Sequence, residues 1–459
     1  MLQAAYVLPH PPLAVPEVGR GREVGIKDTI NSYLQAANEI KALSPDTLVF
    51  ISPHATAYYD YIHISPSASA YGDFSSFGAK EVAFNVQYDT EFVKVLSAAA
   101  KACGISAGAE HEQEKTLDHG VMVPLYFIDK VYKNCSLVRT GLSGLPPLEH
   151  YKFGTLIGET AEKLSRKTVI IASGDLSHKL KKSHYGYAPE GEEFDNLVMD
   201  ILRRADFLSL LNFDPALCAA AGECGYRSFL IMAGALDKKR ANPRFLSYEG
   251  PFGVGYGACA FDITGIDDAR NFGEQFFSIQ TEKIMKERKA ADPYAALARL
   301  AAEHIVKTGK SFAPSKELLG GELGKTRRAV FVSCKKDGEL RGCIGSILPT
   351  CGNLVLEIIR FAEAAVMHDP RFPPVGQEEL EMLSYSVDVL EAPEPATFEE
   401  LDPKVYGVIV SAGSKRGVLL PDLEGVNTAR EQVEIAIKKG GITSAEKYSL
   451  EKFKVTRHK

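Results

Sequence analysis

The sequence predicts an α/β domain built on a largely parallel, helix-flanked sheet, followed by a smaller α+β domain. Three observations carry this. At 459 residues the chain exceeds what one ordinary core organises, so two domains are the natural division. Over residues 1–265, apolar β-branched runs alternate with helical periodicities, the pattern of strands joined by helical crossovers. Beyond residue 290, strands are broken by DG and GSKRG turns, which favours antiparallel pairing.

In chain order, the strand-like runs of the first part are AAYVLPH, DTLVFISPH, YIHIS, CSLVRTGLSG, TVIIASGDLSH and GVGYGACAFDI, each closed by turn residues. Between them TINSYLQAANEIKAL, TEFVKVLSAAAKACG, FGTLIGETAEKLS, EFDNLVMDILRRADFLSLL and YRSFLIMAGALDKK place apolar residues at helical spacing. Residues 266–290 gain charge, lose any strand pattern and read as a linker leading into a helix. The second domain, 291–459, opens with the helix DPYAALARLAAEHIVKTG and a strand with an internal DG turn, RAVFVSCKKDGELRGCIGSILP. The helix GNLVLEIIRFAEAAVMHD, strands MLSYSVDVL and GVIVSAGSKRGVLLP, and the helix NTAREQVEIAIKKGG follow.

Composition narrows the function classes. A hydrophobic fraction of 45% and a charged fraction of 24% are those of a soluble globular protein. A net charge of -6 with no basic run argues against nucleic acid. No stretch reaches the roughly 20 apolar residues of a membrane span, and no basic segment precedes the N-terminal apolar run, so a secretory signal is not expected. The 8 cysteines include no CxxC, which argues against a zinc ribbon, an iron–sulfur motif or a disulfide framework. Reduced thiols in a cytoplasm are the simplest reading. The sequence leaves a homo-oligomer open and does not give the oligomeric state.

Imidazole chemistry belongs to the front of the chain. Two strands end identically, in Pro9-His10 and Pro53-His54, and in parallel sheets ligand groups gather beyond such strand ends. LDHGVMVPLYF places His119 at a turn, and ASGDLSHKL places His178 just after a buried-looking strand, with Asp175 and Ser177 near enough to orient that ring. Two imidazoles and one carboxylate would leave three metal positions open, the arrangement suited to Fe(II) oxygen chemistry. Glu223, at the Gly-flanked entry to a helix, is the best carboxylate, and an acid is at home at a helix N-terminus. Its neighbour Cys224 is a rival ligand, since a thiolate also binds metals. Adjacent helical residues point about 100° apart, so both do not reach one ion.

His10, His54, the DHG at 118–120, SGDLSH at 173–178 and GECGYR at 222–227 together resemble the class III extradiol ring-cleaving dioxygenases. This LigB-type group includes the Memo proteins, and the resemblance spans residues 1–265. It implies His10 and His54 as iron ligands, Glu223 as the third, His178 as catalytic base and His119 as a histidine polarising substrate or oxygen. In Memo proteins a Cys-Gly-Arg stretch ligates the metal, and Cys224-Gly225 resembles it, so Cys224 stands as the alternative. The implied cofactor is Fe(II), or another divalent metal such as zinc, and the implied substrates are a small catechol-type aromatic and O2.

In the second domain, LRGCIG allows close backbone approach at Gly342 and Gly345, with Cys343 a possible nucleophile or a small buried residue. Arg341 and His368 are cleft candidates beside it. LRGCIG, with DPRFPPV and KRGVLLP downstream, resembles the AMMECR domain, a family known more for fold and motif than for a reaction. The fusion resembles the A component of the AmmeMemoRadiSam grouping, which implies a radical-SAM protein partner.

Overall fold

The computed structural model describes residues 1–459 apart from 113, 114, 337, 424, 444 and 445. It divides into two compact units, Met1–Phe277 and Ser278–Lys459. The division falls inside a helix, Phe272–Ala290, over most of the stretch that reads as a linker in the sequence.

The first unit is organised by a six-stranded sheet. Its strands in chain order are β1 (Leu2–Leu8), β2 (Thr47–Ile51), β3 (Ser136–Thr140), β4 (Thr168–Ser173), β5 (Lys239–Glu249) and β6 (Tyr256–Ile266). The spatial order is β3-β2-β4-β1-β6-β5. The first four run parallel, and β6 and β5 close one edge antiparallel. β1, β2 and β4 are nearly uninterrupted runs of buried residues, because helices cover both faces. Two apolar clusters form the core. One gathers Phe153, Phe194 and Phe229, and the other Tyr33, Phe50 and Phe127.

This order positions the site. β4 lies between β1 and β2, so the segments leaving all three, with His10, His54 and Asp175, emerge side by side at one rim of the sheet. β5 goes unmarked in the sequence because Pro243 interrupts its pattern, which an edge strand tolerates.

In the second unit two four-stranded sheets are antiparallel throughout, as the turn signals predict. The LRGCIG strand, Glu339–Gly345, pairs with Ala329–Lys336, and the Leu354–Met367 helix packs against them. Asp337 of the DG turn lies outside the described residues, while Gly338 adopts the left-handed φ of 83° that such a turn asks of glycine. Among the described residues no helix is long and apolar enough to cross a membrane.

Candidate metal centre

Among the described residues, the side chains whose ligand atoms meet within 4.8 Å of one another are His10, His54 and His119. His10 Nε2 and His54 Nε2 are 3.0 Å apart. The ring centroids of His54 and His119 are 4.0 Å apart, and those of His10 and His119 5.4 Å. At that distance the two nitrogens share a proton or face one cation.

Each histidine is aimed by a different device. The His10 amide donates to Asp175 Oδ1 at 2.8 Å. Its ring is set by Ser173, the last residue of β4. The Ser173 hydroxyl donates its one proton to the Gly120 carbonyl at 2.6 Å, so towards His10 Nδ1, 2.9 Å away, it can only accept. The proton of a neutral His10 therefore sits on Nδ1, and the Nε2 lone pair faces His54. The His54 amide donates to Ser52 Oγ. His119 is the first residue of the helix His119–Asp129, whose N-cap Asp118 accepts from the Val121 amide. Asp118 in turn accepts from Ser52 Oγ, which ties the His54 loop to the His119 helix. Behind Asp118 lies the fully buried Arg139, which also donates to Ser65 Oγ.

Desolvation favours the neutral form of all three rings, although His54 stays exposed to solvent. Desolvation holds His10 well below the usual 6.5, with His54 and His178 adding to the effect, and it lowers His54. His119 falls to about 3 through burial and then the neighbouring histidines. A neutral imidazole is the ligand form.

Glu223 and Cys224 separate here. The Glu223 carboxylate accepts from the Tyr226 amide at 2.6 Å, at the start of the Tyr226–Ala235 helix, and is not among the converging ligand atoms. Orphan amides at a helix end are strong donors, and one of them holds one oxygen of this carboxylate. Burial pushes it up to about 7. Cys224 Sγ instead lies 3.6 Å from His10 Nε2 and accepts from the Asp175 amide at 3.4 Å. The structure thus places His119 with the potential ligands, sets Cys224 beside them and leaves Glu223 outside the group. Glu223, Cys224, Arg227 and Ser143 line an adjoining cavity of about 270 Å³.

His178 stands off this group. Its Nε2 is buried without a hydrogen-bond partner, and its ring stacks on Tyr185 at 5.7 Å. Burial lowers it from its usual value, against the pull of Asp175. Its expected orienters act elsewhere, since Asp175 Oδ1 receives the His10 amide and Ser177 Oγ donates to the Ala221 carbonyl. The residues missed by sequence reasoning are Ser173 and Ser52, both polar residues ending an apolar strand, a signal available in the sequence.

In the second unit, Arg341 is held by Glu379 at 2.8 and 2.9 Å and donates to the Pro373 carbonyl, so it clamps DPRFPPV against the LRGCIG strand. The Cys343 amide donates to Asp369 at 2.8 Å, and Ser333 Oγ lies 3.1 Å from Cys343 Sγ. His368 is exposed.

Comparison with known proteins matches residues 4–259 to the family described as the catalytic LigB subunit of aromatic ring-opening dioxygenase, and residues 295–459 to AMMECR1. A protein of Clostridium acetobutylicum is 42% identical over 466 residues, covering 100% of this chain and 99% of its own. A Thermotoga maritima protein is 48% identical over 170 residues, 36% of this chain and 97% of its own. The crystal structure of an uncharacterized Pyrococcus horikoshii protein covers 36% of this chain and 88% of its own at 30% identity, with a TM-score of 0.34.

Proposed function

The chain belongs to the family in which a LigB ring-opening dioxygenase domain is fused to an AMMECR1 domain, and on that premise we propose that its front half is a non-haem Fe(II) extradiol dioxygenase acting on a catechol-type aromatic. The observation that carries this is the convergence of His10, His54 and His119 at the rim of a parallel sheet, their ligand atoms all within 4.8 Å. The neutral imidazoles and the His10 lone pair held by Ser173 suit iron or zinc alike, and the choice of iron rests on the family.

Bound there, the metal would supply a Lewis-acidic centre that makes catechol hydroxyls acidic and brings O2 to the ring. The protein does the rest. His178, neutral through burial and with Nε2 unpartnered, takes a hydroxyl proton and returns it as the ring opens. Tyr185, stacked on that ring, limits its rotation. Cys224 and Glu223 wall the adjoining cavity, where the remainder of the substrate lies.

Protein purified without oxygen should carry about one iron per chain. His10→Ala and His119→Ala should lose it, while His178→Ala keeps the metal and loses catechol-dependent oxygen uptake. Uptake that survives His178→Ala would remove the base assignment, and metal-free wild type would remove the whole reading.

Cys224, 3.6 Å from His10 Nε2, favours a second reading. This is a Memo-like metal carrier or scaffold for a radical-SAM partner, without ring cleavage. In that case metal binds without catechol turnover, and Cys224→Ser weakens binding more than Glu223→Gln does.

A further inference from the structure

The second unit encloses a cavity of about 620 Å³, within the range of small-molecule sites, that neither the metal centre nor the LRGCIG motif accounts for. Its wall comes from the helical segment before residue 291, the Pro293–Thr308 helix and the two strands Ala329–Lys336 and Leu383–Leu390. Arg288, Arg299, Lys335, Arg457 and Lys459 line it, and among the described residues Glu287 supplies the one lining carboxylate side chain. Some of that charge is answered nearby. Arg457 is paired to Asp388 at 2.7 and 2.8 Å. Arg288 and Arg299, however, share one carboxylate, Glu303, at 3.7 and 3.4 Å, and Lys307 draws on it too. One carboxylate therefore serves three cations, and Arg288 adds the Leu380 and Leu383 carbonyls as acceptors.

The hydrogen-bond inventory points the same way. Three lining side chains carry a buried polar atom with no partner, namely Arg288 Nε, Arg299 Nε and Tyr385 Oη. The two guanidinium nitrogens only donate, and the phenol hydroxyl can donate as well as accept. Buried polar groups left unpaired are costly and uncommon, and three belong to side chains in the wall of this one cavity. Ala291, Ala295 and Leu383 supply apolar wall between them.

From this we infer that the cavity is a binding site for a small organic oxyanion, an apolar body carrying a carboxylate or phosphate that accepts from Arg288, Arg299 and Tyr385. The site touches LRGCIG through one residue. Ser333 lines the cavity and its Oγ also contacts Cys343 Sγ, so the motif's thiol sits one side chain behind the wall. The inference does not depend on ring cleavage in the first unit.

Titration calorimetry on the full chain tests it with three probes: inorganic phosphate, adenosine monophosphate and benzoate. At least one should bind at about one per chain. Tyr385→Phe and Arg299→Met should each weaken it about tenfold or more, the usual worth of a hydrogen bond to a charged group, while His10→Ala leaves it unchanged. Tyr385→Phe removes a hydroxyl with no protein partner, so the fold loses nothing and its melting temperature should hold. Binding of the phosphates alone identifies a phosphoryl ligand, and binding of benzoate alone a carboxylate. Either supports the site. No binding of any probe at millimolar concentration, or binding indifferent to Tyr385→Phe and Arg299→Met, overturns it.

Discussion

Ser173 shows how much of a metal centre can rest on a residue that touches no metal. Its hydroxyl is committed to the Gly120 carbonyl, and that commitment makes it an acceptor for His10 Nδ1. With Ser173→Ala the His10 ring loses the partner that selects its tautomer and orientation. Metal affinity should fall about tenfold to a hundredfold, the usual cost of losing such a partner, measured by competition with a chelator. An unchanged affinity would show that packing alone aims the ring. The sequence revealed the histidines but not this partner, because His10 and Ser173 are 163 residues apart and meet only when β1 pairs with β4. Glu223 was ambiguous for a related reason. A carboxylate beside a helix start suits a metal, the helix amides or both, and the fold shows the Tyr226 amide on one of its two oxygens.

At the scale of elements, the loop after β4 and the turn before the Tyr226–Ala235 helix approach backbone to backbone. A Cβ on Gly174 would lie 2.3 Å from Gly225 Cα, and a Cβ on Gly225 would lie 2.9 Å from the Asp175 carbonyl oxygen. Only glycines permit this contact, and it brings Cys224 against Asp175 and His10. Gly174→Ala should therefore destabilise the front unit by about 1–3 kcal/mol, the common cost of overpacking, and lower its metal affinity in the same protein. Calorimetric melting and metal titration read the two effects, and wild-type values for both would refute the contact's role. The motifs SGDLSH and GECGYR were both legible, and their mutual packing was not. Local pattern also failed where the chain breaks quietly. EFDNLVMDILRRADFLSLL reads as one helix, yet Ala205 turns left-handed at φ 49° and Asp206 caps a second, Phe207–Leu211. The apolar segment after His119 is a helix despite Pro124 inside it.

For the whole molecule, two domains, a mainly parallel sheet and then antiparallel sheets followed from turn chemistry and strand–helix alternation, because those patterns repeat many times. Buried charge leaves no such pattern. Asp195 is fully buried, accepting from the Ser177 amide at 2.7 Å and Tyr248 Oη at 2.8 Å, and burial pushes its carboxyl up to about 7. Between about pH 4, where an unfolded aspartate ionises, and about pH 7, the folded state holds a proton that the unfolded state has released. This group's contribution therefore falls as pH rises through that window and is level above it. Buried histidines act in the opposite sense, for His63 and His150 are lowered to about 4 and favour folding as pH rises towards 6.5. Total stability mixes the two, and a difference separates them. Asp195→Asn keeps the side chain's shape and removes only the ionisation. The variant's stability relative to wild type should rise from about pH 4 to about pH 7 and then stay constant, read from calorimetric unfolding of both proteins across that range. A gap independent of pH would mean that Asp195 is ionised in the fold at its ordinary pKa, so that the Ser177 amide and Tyr248 hydroxyl suffice to solvate the charge.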